Sequence, residues 1–475
     1  MLLRNAIEKS NGLSFLVNQL DLLSSIGRKM LLDSELLTNA DNIQQALDEV
    51  TELYNSYALQ NASNRLDDIK RKLQQVRDIS RSISKLENKD DIVLDDIELF
   101  EVKHLATLSE VLRNSIEKLA IKAVQLPPLS KVIAILDPDG THLPNFYIYD
   151  SYSDELKLLR QKINTEKSAI AKLPEEEQQE KEHYIQELFQ QSVTIEDEVR
   201  ATLSKQLQPF RISLAATLNN IAKLDILIAK AGQAHTYKLV KPTIAKEKTV
   251  YQGIFNPQLK QRLENESKRY QPVDVELDSA PCLITGANMS GKTVLLKTLQ
   301  LAQYLFQFGF FVPATKAEIA VVDSIMVSID DGQEELKGLS SYASEILTIN
   351  DIVNHIKSGS KPLVLVDELA RTTNPTEGKA IVNATIDILA NHNIRSIITT
   401  HYNGIHTTCR RLRVKGFTDA DIHTQLNKSN INDYIDYSLV EDNSSEVPMD
   451  AIKVAELLGV SSELVDKIKQ YISNE

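Results

Sequence analysis

The stretch Cys282–Leu299, CLITGANMSGKTVLLKTL, passes from an apolar, strand-like run into a loop bounded by two glycines and then into an amphipathic repeat. Gly286, Ala287, Asn288, Met289, Ser290, Gly291, Lys292 and Thr293 have the spacing G-x-x-x-x-G-K-[ST]. In that pattern backbone N–H groups curl around phosphate oxygens, and the N-terminus of the following helix adds partial positive charge. Lys292 then neutralises the outer phosphates and the Thr293 hydroxyl reaches Mg2+. A strand before and a helix after are the context this motif requires, so the stretch predicts a nucleotide-binding phosphate loop in an α/β sheet.

Downstream, KPLVLVDELA places an apolar strand, Leu363–Val366, ahead of Asp367 and Glu368. Two acids at the carboxyl end of a strand, expected beside the phosphate-loop strand, suit a cation and a water: Asp367 for Mg2+, Glu368 as the base. A third apolar run, SIITTHYNGI, ends in Thr399, Thr400 and His401. A lone histidine there is unremarkable, but in series with the other two motifs His401 is placed to sense a γ-phosphate.

Away from these motifs the texture changes. Ser14–Leu32 and the residues up to Val124 repeat apolar positions at three and four spacing and predict packed helices. Val124–Tyr152 interrupts them with prolines and a β-branched and aromatic run, which predicts a small strand-containing connector. Asp154–Leu173 and Glu198–Ala234 predict two antiparallel arms, joined by a segment, 174–198, with nine acidic residues and one lysine that reads as a solvated hairpin tip. After Tyr237 short apolar runs alternate with helical patterns, as in a mostly parallel α/β unit.

A net charge of -13 over 475 residues weighs against a broad phosphate-backbone interface, although an acidic mean can conceal a local basic groove. The two cysteines, Cys282 and Cys409, have no zinc or disulfide spacing, and no apolar run approaches the length of a spanning helix. The expected location is cytoplasmic, away from membranes.

In order and wording these motifs resemble the MutS family, the ABC-type ATPases of DNA mismatch repair and their relatives. The resemblance is carried by TGANMSGKT, by GFFVPA at Gly309–Ala314, and by SIDDGQEELKGLSSYASEI at Ser328–Ile346. It continues through DELARTTNPTEG at Asp367–Gly378, ITTHYNGI and the tail Tyr437–Ile472. It implies an α plus α/β chain: a helical core (1–124), a connector with lever helices (125–236), and a MutS/ABC-type P-loop α/β ATPase domain (237–475). It also implies ATP and Mg2+ as ligands and a homodimer in which Ser340 and Ser341 reach the γ-phosphate held by the partner's Lys292. By themselves Ser340 and Ser341, with Glu345 nearby, suit a helix N-cap equally well.

Departures from the family pattern set further expectations. No mismatch-reading domain is expected before Met1 and no nuclease extension after Glu475, the clamp on the arms is reduced to the acidic tip, and the D-loop reads TNPTE. ILDPDGTHLPNFYIYDSYSDELKLLR looks similar to a MutS-related group that reactivates adenosylcobalamin-dependent aminomutases, of the lysine 5,6-aminomutase reactivase type. On charge, remodelling of an aminomutase-like protein partner is placed ahead of DNA binding through a basic groove around Arg410, Arg411, Arg413 and Lys415. A metabolic kinase would need an acceptor site that no motif supplies. Tyr251 and Phe255 are the candidates for stacking on the adenine.

Overall fold

The computed structural model describes all residues except 58–61, 88–92, 144, 171–173, 287–289, 330–340, 372, 403, 407, 418–434, 443–451, 453–454, 456–459 and 474–475. The chain forms two compact units, one from Met1–Leu20, Asp33–Thr51 and Lys230–Glu475, the other from Asp21–Leu32 and Glu52–Ala229. In chain order the described helices begin with α1 (Leu3–Glu8), α2 (Asn11–Asn18), α3 (Ser25–Leu32), α4 (Ala40–Ser56), α5 (Ala62–Leu73), α6 (Ser80–Lys85), α7 (Asp96–Lys118) and α8 (Ser130–Leu136). They continue with α9 (Asp154–Ile170), α10 (Glu175–Leu207), α11 (Arg211–Tyr237), α12 (Pro257–Asn265), α13 (Lys292–Gln307), α14 (Ser341–Lys357), α15 (Pro375–Asn391) and α16 (Ser462–Ser473). The strands are β1 (Thr243–Ala245), β2 (Thr249–Ile254), β3 (Val273–Leu277), β4 (Pro281–Thr285), β5 (Lys316–Ala320), β6 (Ile325–Ser328), β7 (Leu363–Val366), β8 (Ser396–Thr400), β9 (Arg410–Phe417) and β10 (Ile435–Glu441).

The first unit is built on a six-stranded sheet of order β10-β9-β4-β8-β7-β6, parallel throughout except for β10. Strands β4, β7 and β8 are buried residue by residue, because helices cover both faces of a parallel sheet and leave no wet side. A second sheet, β1-β5-β2-β3, pairs antiparallel around β2. Helix α13 is buried nearly all round. Its inward glutamines are satisfied by backbone: Gln300 donates to Lys9 O, Gln303 to Ala320 O, and Gln307 to Leu37 O and Val322 O. Residues near the N-terminus thus complete the surroundings of the phosphate-loop helix.

The second unit is helical. Helix α7 opens with a capping box in which the Asp95 carboxylate accepts from Glu98 N and the Glu98 carboxylate accepts from Asp95 N. Asp225 on α11 is a buried carboxylate accepting from Ser24 N at 2.8 Å and Ser24 Oγ at 2.6 Å, and burial pushes its pKa up.

Two local expectations are corrected here. The acidic segment 174–198 is no tip: it lies within α10, which folds back along α9, with Ile163, Ile185 and Leu188 buried between them and Lys181–Glu166 and Arg160–Glu196 ion pairs alongside. Glu177, Glu180, Glu182, Glu187, Asp197 and Glu198 are exposed on an amphipathic helix whose sparse apolar positions were hidden by the charge count. The connector holds no strand among its described residues; α8 and a 3-10 turn at Asp150–Tyr152 take its place, and Ile148 and Tyr149 are buried. Tertiary burial overrides the β-propensity of FYIYD. One helical run, Glu177–Tyr237, contains a window long and apolar enough to cross a membrane, and most of that window is buried as in a core helix.

Candidate functional site

The phosphate loop leaves β4 at Gly286 and enters α13 at Lys292, with Gly291 at the helix N-cap in a left-handed conformation, φ 83°. A side chain there would also press on Tyr437, whose Cδ1 would stand 3.0 Å from an added Cβ. Lys292 is buried, and its ammonium donates to Gly286 O at 2.8 Å. Burial pushes its pKa down, against the opposing pull of Glu368 and Asp367. Ser290 Oγ is buried with no hydrogen-bond partner among the described residues. A desolvated ammonium and an unsatisfied hydroxyl at a helix N-terminus leave an anion as the group that would complete the loop, so these residues fit a phosphate. Ala287, Asn288 and Met289 lie outside the described residues.

The acid-bearing strand β7 is not the neighbour of β4, contrary to the sequence expectation: β8 runs between them. At about 4.8 Å per strand the interposed strand sets β4 and β7 roughly 10 Å apart. Thr399 near the end of β8 ties the two acids together. Its hydroxyl donates to Asp367 Oδ1 at 2.6 Å and accepts from Glu368 N at 2.8 Å. From the other side Thr293 Oγ1 donates to Asp367 Oδ2 at 2.5 Å. One hydroxyl and one carboxylate side by side are hard oxygen donors of the kind Mg2+ takes from protein, so Thr293 and Asp367 would hold it. Glu368 sits in left-handed backbone, φ 46°, and its carboxylate pairs with Arg371 at 2.8 Å. His401, at the end of β8, is exposed and its ring lies 4.4 Å from that of Tyr402. Ser340 lies outside the described residues, as does the side chain of Ser341, the first residue of α14.

Next to Ser290, Gly291 and Lys292 opens a mostly apolar cleft of about 210 Å³. Ile254, Leu259, Leu263 and Tyr270 form one side, Val414 and Tyr437 the other, with Arg262 and Arg269 exposed at the mouth. Its size and aromatic walls suit a nucleobase attached to phosphates in the loop. Tyr251 and Phe255 do not line it; both are turned into the core, 2% and 7% exposed. Sequence reading missed Tyr270 and Tyr437. Tyr437 arrives only because β10 pairs with β9, a long-range contact that no local spacing signals. The amide of Gln271 pins that strand, donating to Asp436 Oδ1 at 2.8 Å while Tyr437 N donates to Gln271 Oε1 at 3.2 Å. Lys415 and Ser438 hold the Asp436 carboxyl far below the usual range.

Two of the four cations on β9 are ion-paired, Arg410 with Glu441 at 2.7 Å and Lys415 with Asp436 at 2.8 Å, while the Arg411 guanidinium donates to the neutral Ile405 O. The basic run expected there is thus partly neutralised.

Residues 282–474 match the family model of MutS domain V. An endonuclease MutS2 of Ligilactobacillus salivarius is 34% identical over 225 residues, covering 45% of this chain and 27% of that protein. An endonuclease MutS2 of Geobacillus kaustophilus is 36% identical over 193 residues, 40% of this chain and 24% of the relative. A DNA mismatch repair protein MutS of Haloquadratum walsbyi is 28% identical over 264 residues, 55% and 28% of the two chains. The matched stretches span only about a quarter of the length of these curated relatives.

Proposed function

We propose that this chain, whose residues 282–474 are similar to MutS domain V, is a Mg2+-dependent ATPase that acts as a homodimer and couples hydrolysis to a conformational change on DNA. The observation that carries the hydrolytic reading is the continuous bridge Thr293–Asp367–Thr399–Glu368, which ties the phosphate loop to the acidic pair through two hydroxyls. In this reading Lys292, Ser290 and the N-terminus of α13 bind the phosphates and Tyr270 and Tyr437 hold the base. The cation would neutralise charge on the phosphate oxygens. Glu368 takes the proton of the attacking water as its oxygen bonds the γ-phosphorus; the bond to the β,γ-bridging oxygen breaks, and ADP and phosphate leave. Glu368 must first leave Arg371. His401 senses the γ-phosphate, and Ser340 and Ser341 act on the partner's nucleotide. Residues 1–124, 125–236 and 237–475 serve as core, levers and motor, in a cytoplasmic protein.

The DNA coupling rests on the names of the relatives, endonuclease MutS2 and mismatch repair MutS. A second reading, remodelling of a protein such as an aminomutase-like enzyme, rests on the net charge of -13 and on the ion pairs of Arg410 and Lys415 on β9. Relatedness outweighs charge here, since an acidic mean is compatible with a local cationic track. The test of the hydrolytic reading is Glu368→Gln, which keeps the volume and removes the base. ATP binding should persist while turnover falls by roughly 10²–10⁴-fold, and an unchanged rate would refute the assignment. Lys292→Ala should instead lose nucleotide affinity.

A further inference from the structure

Two residues beyond Glu368, the backbone of Ala370 is held on both its N–H and its carbonyl. Its N–H donates to Glu345 Oε1, on the second turn of α14, at 2.9 Å, and its carbonyl accepts from the Tyr402 hydroxyl, one residue past His401, at 2.6 Å. Leu369 and Ala370 are fully buried, so no solvent stands ready to replace either bond. Glu368 and Ala370 both adopt left-handed backbone, φ 46° and φ 60°. For residues other than glycine that conformation is strained and persists only where surrounding contacts over-determine it. Gly378 on α15 makes room for one of those contacts, because an added Cβ would overlap the Tyr402 ring and hydroxyl. Glu345, which in sequence suits an N-cap box for α14, thus places one oxygen on the turn that carries Glu368.

We propose that Glu345 and Tyr402 are positioning residues for hydrolysis: together they clamp the 368–371 turn, aim the Glu368 carboxylate, and make that aim depend on where α14 and the end of β8 stand. The inference rests on the reading of Glu368 as the base. Three motif-bearing segments meet at one residue, Ala370, so a shift of α14 reaches the turn that carries Glu368 through a single hydrogen bond. None of Glu345, Ala370 and Tyr402 is among the residues lining the base cleft, which separates their effect on turnover from an effect on base binding.

The experiment uses the full chain with Glu345→Ala, Glu345→Gln and Tyr402→Phe, measuring ATPase rates over ATP concentration, affinity for a fluorescent ATP analogue, and thermal unfolding. Misaiming a catalytic group by an ångström costs up to about 100-fold, so Glu345→Ala and Tyr402→Phe should lower kcat by about 10- to 100-fold with KM and analogue affinity within about twofold. Glu345→Gln keeps a carbonyl acceptor and should recover most of the rate. In a Glu368→Gln background Glu345→Ala should cause no further loss, because it acts through the same group. The proposal is overturned by an unchanged kcat in the Ala and Phe variants, by a Gln variant as slow as Ala, or by losses that multiply with Glu368→Gln. Should Glu345→Ala unfold, Tyr402→Phe, which removes one oxygen and leaves the ring against Gly378, decides alone. A full rate in Glu368→Gln itself would sink the hydrolytic reading; a slow Glu368→Gln beside a normal Glu345→Ala and Tyr402→Phe would sink only the clamp.

Discussion

Thr399 does what no other side chain of its volume can, since a hydroxyl donates and accepts at once. It gives its proton to Asp367 and takes one from the backbone of Glu368. Thr399→Val keeps the shape and breaks both bonds, leaving an oxygen of Asp367 less well oriented. The Mg2+ concentration for half-maximal hydrolysis should rise about tenfold, the scale of one buried charged hydrogen bond, with protein stability less affected than turnover. A titration of rate against Mg2+ checks this. The placement of Lys292 and Thr293 after one apolar strand and of Asp367 and Glu368 after another was legible in sequence, because it depends on spacing within a single strand-loop segment each time. Thr399 was visible as a residue but not as a bridge, since its role exists only once β8 lies between β4 and β7. Lys230 was not legible at all. Its buried ammonium donates to Phe308 O at 2.7 Å and Gly309 O at 3.3 Å, where the carbonyls end α13, and lies 4.1 Å from the Phe310 ring. Burial, partly opposed by Glu49, pushes its pKa from 10.5 down to about 7. Between those two values the folded chain binds fewer protons than the unfolded one, so this residue makes stability rise with pH across that window, its cost being fully present below the lower value. Lys230→Met should flatten the rise in Tm between pH 7 and pH 9.5 relative to the parent, measured by differential scanning calorimetry.

At the level of elements, α13 was readable from its three-and-four apolar period and β7 from its unbroken aliphatic run, both local signals. Strand order was not readable, and with it went the base cleft, whose walls come from the β2–α12–β3 region and from β9 and β10. The acidic part of α10 misled for a different reason: charge density on an exposed helix face resembles that of a solvated turn until the partner helix is known. Tyr270 gives the cleft a direct test. Tyr270→Ala removes one aromatic wall, and base stacking is worth roughly 1–3 kcal/mol, so ATP affinity should fall about tenfold or more while kcat at saturation changes little. Equilibrium binding of a fluorescent ATP analogue measures the first and saturation kinetics the second; an unchanged Kd would move the base elsewhere.

At the scale of the whole molecule, a shared site makes a stringent demand. Lys292→Ala chains and Ser340/Ser341 double-alanine chains should each be nearly inactive alone, and mixing them should restore part of the rate, because one composite site of a mixed dimer is then intact. No recovery across a concentration series would count against a shared site. The DNA coupling predicts a steep salt dependence: neutralising about six phosphates would lower affinity roughly a thousandfold between 50 and 200 mM salt. Weak, salt-insensitive binding of duplex without ATPase stimulation would transfer the function to a protein partner. The arrangement of the first unit, drawn from Met1–Leu20, Asp33–Thr51 and Lys230–Glu475, has one more consequence, in time. On the ribosome the second unit can close once Ala229 has emerged, whereas Leu3, Leu13 and Leu16, which are fully buried in the finished protein, must wait for segments not yet made. At about 5–20 residues per second the 246 residues from Lys230 to Glu475 take roughly 12–50 s. For that interval the leucines of α1 and α2 lack the segments that cover them in the finished protein, and a folding intermediate with that apolar surface open is prone to aggregation.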